Sequence, residues 1–198
     1  MKNLLSASLL AVLAASAIAA EKTYKVGGGT PSQQIATVES VTDFETFTGR
    51  THKVSGAIKF DKAARKISGK ISIDVASIKT GIDLRDEHMQ GPMWMDAAKY
   101  KSITFQATKA KHVKGDDWDL TGKFTMHGVT KTITIRATLK ERGASQASKA
   151  AGFKGDVLQL KTKFKVKLSD YGIKIPGMAA TKVNDTVTIA VTTYAQTG

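Results

Sequence analysis

Apolar and polar residues alternate strictly along most of this chain. A period of two confines each such segment to a strand with one buried face. Val54, Gly56, Ile58 and Phe60 share one face, and Lys53, Ser55, Ala57 and Lys59 share the other. After the polar run Asp61–Arg65, Ile67, Gly69, Ile71, Ile73 and Val75 alternate with Lys66, Ser68, Lys70, Ser72 and Asp74, so the pair reads as a hairpin. The pattern resumes at Ile103, Phe105 and Ala107, then at Trp118, Leu120, Gly122, Phe124 and Met126. His127-Gly128-Val129-Thr130 reads as a turn into Ile133, Ile135, Ala137 and Leu139. Leu158, Leu160, Phe164, Val166 and Leu168 follow, and Val187, Ile189 and Val191 close the series. With Tyr24–Val26 and Ile35–Val41 this predicts roughly eight one-sided strands in an all-β sandwich or barrel. Each one-sided sheet must bury its apolar face, and a closed barrel does so while removing its edges. Gly56, Gly69 and Gly122 fall on the apolar faces, where they relieve crowding or allow sharp bending.

One segment breaks the period. Asp83-Leu84-Arg85-Asp86-Glu87-His88-Met89 reads as a short helix with Asp83 as N-cap, stopped by Gly91-Pro92. Met93–Ala98 reads as a second helical piece with Trp94 and Ala98 one turn apart. Two helical turns rich in Met and Trp suggest a lid on one barrel end. Gly143–Gly152 reads as a flexible loop. No internal repeat or second domain is apparent.

The N-terminus has a positive start, Met1-Lys2-Asn3, an uncharged apolar stretch from Leu4 to Ala15, and small residues at Ala17-Ile18-Ala19-Ala20. This is the pattern of a secretory signal peptide cut after Ala19 or Ala20, and the apolar stretch is too short for a spanning helix. The expected division is residues 1–20 as leader and 21–198 as one exported β-barrel domain in the periplasm. With no cysteine in the chain, neither a lipoprotein anchor nor a disulfide is available. The formal charge is +13, of which Lys2 leaves with the leader. A nucleic-acid partner is argued against by export and by the scatter of basic residues over exposed strand positions. Weak, transient contact with an anionic membrane surface fits the same charge.

Motifs for chemistry are absent. His52, His88, His112 and His127 form no HxH or HExxH pair, so no metal is expected. There is no GxSxG elbow, and Gly27-Gly28-Gly29 lacks the Lys-Ser/Thr of a phosphate loop, reading instead as a connection after the first strand. Arg85, Asp86, Glu87 and His88 are the densest charged cluster and are read as fixing the lid. Lys161, Lys163, Lys165 and Lys167 form a ladder on one strand face, read as solubility and protection against edge pairing.

Three blocks resemble the YceI-like family. The first runs from Arg85-Asp86-Glu87-His88 through Trp94-Met95-Asp96-Ala97-Ala98-Lys99-Tyr100 to Ile103-Thr104-Phe105. The second is Leu120-Thr121-Gly122 with Met126-His127-Gly128-Val129-Thr130-Lys131, and the third is Phe164–Leu168 with Ser169-Asp170-Tyr171-Gly172-Ile173. The resemblance implies a single lipocalin-like antiparallel barrel of a bacterial, mostly periplasmic protein. It implies an isoprenoid lipid or quinone-like ligand held in the lumen, with no cofactor and no catalysis. Carried onto this chain, the lumen lining comprises Phe60, Ile71, Ile73, Ile103, Phe105, Phe124, Ile133 and Phe164, with Trp94 near the end cap. One departure lies in Ile35–Phe44, which carries no His where many members have a His-Ser pair. The competing expectation is a structural or interaction protein of the cell envelope whose barrel core is packed solid.

Overall fold

The structure, a computed structural model, describes residues 21–27 and 30–198. The expected leader, residues 1–20, and Gly28-Gly29 lie outside the described residues. The alternating segments form β1 (Lys22–Val26), β2 (Ile35–Val41), β3 (Thr46–Thr51), β4 (Val54–Asp61), β5 (Lys66–Asp74), β6 (Ser102–Lys114), β7 (Asp117–Met126), β8 (Val129–Arg142), β9 (Val157–Lys167) and β10 (Thr186–Gln196). All neighbours are antiparallel, and β1 pairs with both β4 and β10, which closes the sheet.

Ten strands make eight staves. β1 and β2 both pair with β10, through Val26↔Ala195 and then Ile35↔Thr192, so they form one stave interrupted by residues 27–34. β3 runs into β4 through His52-Lys53 to form a second, divided stave. The break in the first stave would strand the backbone of Tyr194. Gln34, 3 % exposed, fills it with its side chain. Its Nε2 donates to the Tyr194 carbonyl at 3.1 Å, and its Oε1 accepts from the Tyr194 N–H at 3.1 Å and from the Thr193 hydroxyl. A side-chain amide thus does the work of a missing residue in the ladder, as buried backbone groups require.

Closure needs strong coiling, and two glycines supply it. Gly56 and Gly69 adopt φ of 137° and 142°. A Cβ on Gly56 would lie 2.0 Å from the Lys70 carbonyl oxygen, and one on Gly69 would lie 2.3 Å from that of Ala57. Only glycine permits both the dihedral and the approach. The β7–β8 turn is the two-residue His127-Gly128, with φ of 50° and 75°, the left-handed pair that hairpin twist favours.

The barrel is not uniformly laddered. Pairing of β8 with β9 ends at Ala137↔Thr162, so the stretch Val129–Arg136 diverges from Lys163–Lys167. Lys163, Lys165 and Lys167 therefore stand on an unpaired strand edge, where lysines discourage pairing with another chain.

At one end the core is solid. Trp118, 2 % exposed, meets the Phe60 ring edge-on at 5.8 Å and the His112 ring at 4.9 Å. Tyr24 is fully buried and donates its hydroxyl to Glu141, while Lys22 bridges Glu141 at 3.0 Å and Asp156 at 2.9 Å. Burial and then the Glu141 bond raise the Tyr24 hydroxyl well above its ordinary pKa. This network clamps β1 to β8 and to the loop before β9.

Three local expectations are corrected. The segment Met93–Ala98 is a series of turns, not a helix. Helix α1 (Asp83–Gln90) has Ile82 at its N-cap with no side-chain cap bond, and Asp83 is its first residue. The stretch read as a flexible loop contains α2 (Gln146–Ala150), started by a capping box in which Ser145 and Ser148 bond each other's backbone N–H.

Candidate functional site

The other end of the barrel holds an apolar cavity of about 460 Å³. Its walls include the β2–β3 hairpin, through Val38, Phe47 and Gly49, and the adjoining segment that supplies Leu168, Ile173, Ala179 and Val183. Ile73, Ile103, Met126, Val187 and Ile189 rise into it from the staves. Met89 from α1, with Trp94 and Met95 from the turns that follow, covers it. Ile82 and Leu84 line the cavity yet are 52 % and 62 % exposed, which marks where it opens to solvent.

The lid is tied to the hairpin by Arg85. Its Nη1 lies 2.7 Å from Glu45 Oε1, its Nε donates to Thr80 Oγ1 at 3.0 Å, and its guanidinium sits 4.6 Å above the Phe47 ring. Asp86, buried, accepts from the Thr80 N–H at 2.7 Å and from its hydroxyl at 2.6 Å. Burial pushes the Asp86 carboxyl up, but the two Thr80 bonds, helped by Lys79 and Arg85, hold it below its ordinary value.

The buried polar atoms around the cavity are already engaged. Ser40 Oγ accepts from the Asn184 N–H at 3.0 Å, and Thr51 Oγ1 shares a 2.6 Å bond with Ser77 Oγ and accepts from the Lys53 N–H at 2.9 Å. Among the described residues no buried side-chain N or O lacks a partner, and no cluster of three metal-ligating side chains occurs. What the cavity offers a ligand is apolar surface. His88 and Lys182 border it, both at exposed positions. The other histidines hold turns and strand junctions: His52 Nδ1 lies 2.7 Å from the Gln34 carbonyl, His112 Nε2 3.0 Å from that of Gly115, and His127 Nδ1 3.1 Å from that of Tyr171.

The residues expected to line the lumen divide by depth along the barrel. Ile73, Trp94 and Ile103 border the cavity. Below it lies a band in which Ile71 pairs with Phe105 and Phe105 with Phe124. Phe124 packs edge-on to Phe164 at 5.6 Å and to Tyr171 at 5.4 Å. Ile133 stands opposite Gly122, where a Cβ would meet the Phe105 ring at 2.7 Å. Phe124 is fully packed, whereas Ile71, Phe105, Ile133 and Phe164 are only partly buried. Phe60 is apart from all of these, at the solid end. Sequence reasoning missed Phe47, Val38, Arg85, Ala179 and Val183 as lining residues. The family-like block at Arg85 was the one signal that pointed toward them.

Residues 29–195 match the YceI-like domain. The chain belongs to the YceI-like family. Among curated relatives it is 36 % identical over 123 residues to Protein YceI of Escherichia coli, covering 60 % of this chain and 59 % of that one. It is 34 % identical over 131 residues to a UPF0312 protein of Pseudomonas paraeruginosa, covering 64 % and 63 %. These matches span about three fifths of the relatives' length. The fold is that of Burkholderia cenocepacia BcnA, with a TM-score of 0.72 at 24 % identity over 85 % of this chain and 99 % of that one. It is likewise that of a polyisoprenoid binding domain from Saccharophagus degradans, with a TM-score of 0.63 at 18 % identity over 88 % and 98 %. The YceI-like barrel expected from the sequence is therefore the fold of this protein.

Proposed function

We propose that this protein is a periplasmic carrier that holds the apolar chain of an isoprenoid or similar amphiphilic lipid, and that it acts by binding, not catalysis. The observation that carries this reading is the cavity itself. Its size falls in the range of about 300–1,000 Å³ usual for small-molecule sites, its walls are mostly aliphatic and aromatic, and its buried polar groups are engaged within the protein. Such a site rewards a ligand through removal of apolar surface from water, roughly 0.8 kcal/mol per buried methylene. The family membership, the fold shared with a polyisoprenoid binding domain and the leader-like N-terminus support the same reading. Directional chemistry is confined to the opening, so a head group there contributes orientation more than affinity.

Titration of the purified chain with geranylgeraniol, followed by the fluorescence of Trp94 with Trp94→Phe as control, tests the proposal. Saturable binding is expected, with its loss in Val38→Trp, which places an indole in the cavity from a partly buried wall position. Binding undiminished in a folded Val38→Trp would move the site elsewhere.

A further inference from the structure

We propose that the open seam between β8 and β9 docks an extended acidic segment of a partner polypeptide, which adds to the barrel wall as a strand. The ladder between these staves stops at Ala137↔Thr162, where the Thr162 hydroxyl donates to the Arg136 carbonyl at 2.8 Å. Beyond it, residues 129–136 and 163–167 present two edges unpaired with each other, the second about 16 Å long. The far end of the seam is tied again. The Lys131 ammonium lies 2.8 Å from Asp170, and His127 Nδ1 lies 3.1 Å from the Tyr171 carbonyl. Between these ties solvent reaches side chains of the inner face. Ile133 and Phe164 are only partly buried, although Phe124, against which the Phe164 ring packs at 5.6 Å, is fully so. The seam therefore sets strand edges beside an apolar floor, and a strand that adds to a sheet uses both, the edge for backbone bonds and the floor for alternate side chains.

Charge selects which strand. β8 and β9 together carry eight Lys and Arg side chains against one carboxylate, Glu141, which the Tyr24 hydroxyl and Lys22 already hold. On one side β10 has no charged residue. On the other, β7 has Lys123 with Asp117 and Asp119, and these carboxylates are taken by Thr138 at 2.7 Å and Arg136 at 2.6 Å. The segments that flank β9 add Lys149, Lys154, Lys174 and Lys182, with three acids. Of these, Asp156 is held by Lys22, Asp170 by Lys131, and Asp185 accepts from the N–H and hydroxyl of Ser169. Lys161, Lys163, Lys165 and Lys167 are exposed and make no ion pair among the described residues. Lysines turn an edge away from strands of like charge, so a second copy, whose own free edges are basic, is refused. A strand that sets carboxylates beside them is attracted instead. Successive side chains of a strand alternate faces. The fitting segment is therefore acidic at every second residue, toward Lys163, Lys165 and Lys167, and apolar between, toward Ile133 and Phe164.

The test is fluorescence polarisation of a labelled, end-capped peptide of alternating glutamate and valine, titrated with the purified chain. Saturable binding is expected. It should weaken about tenfold in the triple variant Lys163→Gln/Lys165→Gln/Lys167→Gln, whose circular dichroism and melting temperature stay those of wild type. It should vanish when every peptide nitrogen is methylated, which removes the strand donors and keeps every charge. Hydrogen exchange at residues 163–167 should slow in the complex. Absence of binding, or equal binding of a lysine–valine peptide, would overturn the proposal. Equal binding of the methylated peptide or of unstructured polyglutamate would reduce the stripe to a general polyanion surface and overturn strand addition. Binding undiminished in the triple variant, or exchange protection confined to other strands, would move the site elsewhere. A concentration-dependent dimer that displaces the peptide would assign the seam to a second copy and overturn the choice of partner.

Discussion

Replacing Arg85 by Ala removes three contacts that join α1 to the hairpin across the mouth: the 2.7 Å pair with Glu45, the 3.0 Å bond to Thr80 and the guanidinium over the Phe47 ring at 4.6 Å. The two charged side chains are 24 % and 32 % exposed, so solvent screens the pair and it contributes at most about 1 kcal/mol. The cation–π contact adds about 0.5–1 kcal/mol. Thr80 keeps its hydroxyl bond to Asp86, so loss of the third contact costs little more. The expected loss is about 1–2 kcal/mol, which for a domain of this size lowers the melting temperature by roughly 2–8 °C. Thermal unfolding followed by circular dichroism reads this directly. Arg85→Lys should recover only part of it, because an ammonium supplies the charge without the planar fork. Combining Arg85→Ala with Glu45→Gln should cost less than the sum of the two single changes. An Arg85→Ala protein that melts with wild type, and shows no coupling to Glu45, would refute the idea that this pair fastens the lid.

Gln34→Ala should be more costly, about 2–4 kcal/mol, because it leaves the Tyr194 N–H and carbonyl and the Thr193 hydroxyl without their bonds in a buried break; urea unfolding measures it, and a change under 1 kcal/mol (an order-of-magnitude bound) would mean that water or a shifted strand replaces the amide. The carboxyls of Asp156, held by Lys22, and of Asp185, held by Ser169, sit below their ordinary values, as does that of Asp86. Groups depressed in the folded state stabilise it above their unfolded pKa and lose that effect as pH falls, so melting temperature should hold from neutrality to about pH 5 and fall below about pH 4. A flat profile into stronger acid would show that these bonds do not favour the folded state. Changing Lys161, Lys163, Lys165 and Lys167 to Gln should leave geranylgeraniol binding unchanged, because the ladder faces away from the cavity; weakened binding in solution would implicate these lysines in the site.

Most staves were legible because alternation is a strong signal wherever every second residue is large and apolar, as in Val187, Ile189 and Val191. β3, Thr-Phe-Thr-Gly-Arg-Thr, was not, since Phe47 is its one large apolar side chain and Gly49 faces the cavity, where a Cβ would come 2.9 Å from Ile78. The strand break at Gln34 was also hidden, because a glutamine standing in for backbone looks like any polar loop residue. Periodicity reports which face a residue takes but not how deep along the barrel it sits. Phe60 and Ile103 therefore read alike, although one packs against Trp118 at the solid end and the other borders the cavity. The walls supplied by the hairpin and by residues 168–183 depend on tertiary contacts that no local pattern encodes. The charged cluster at Arg85 was recognisable as a lid fastening, but its partners Glu45 and Phe47 lie some forty residues earlier in the chain.

The central claim, that the cavity holds a lipid chain, is tested most directly by native mass spectrometry of the protein purified from its host without detergent. The account predicts a bound species that adds mass to the polypeptide, is released by organic solvent and fragments as a long apolar chain. A polypeptide of bare mass, which also takes up no geranylgeraniol when soaked, would contradict it.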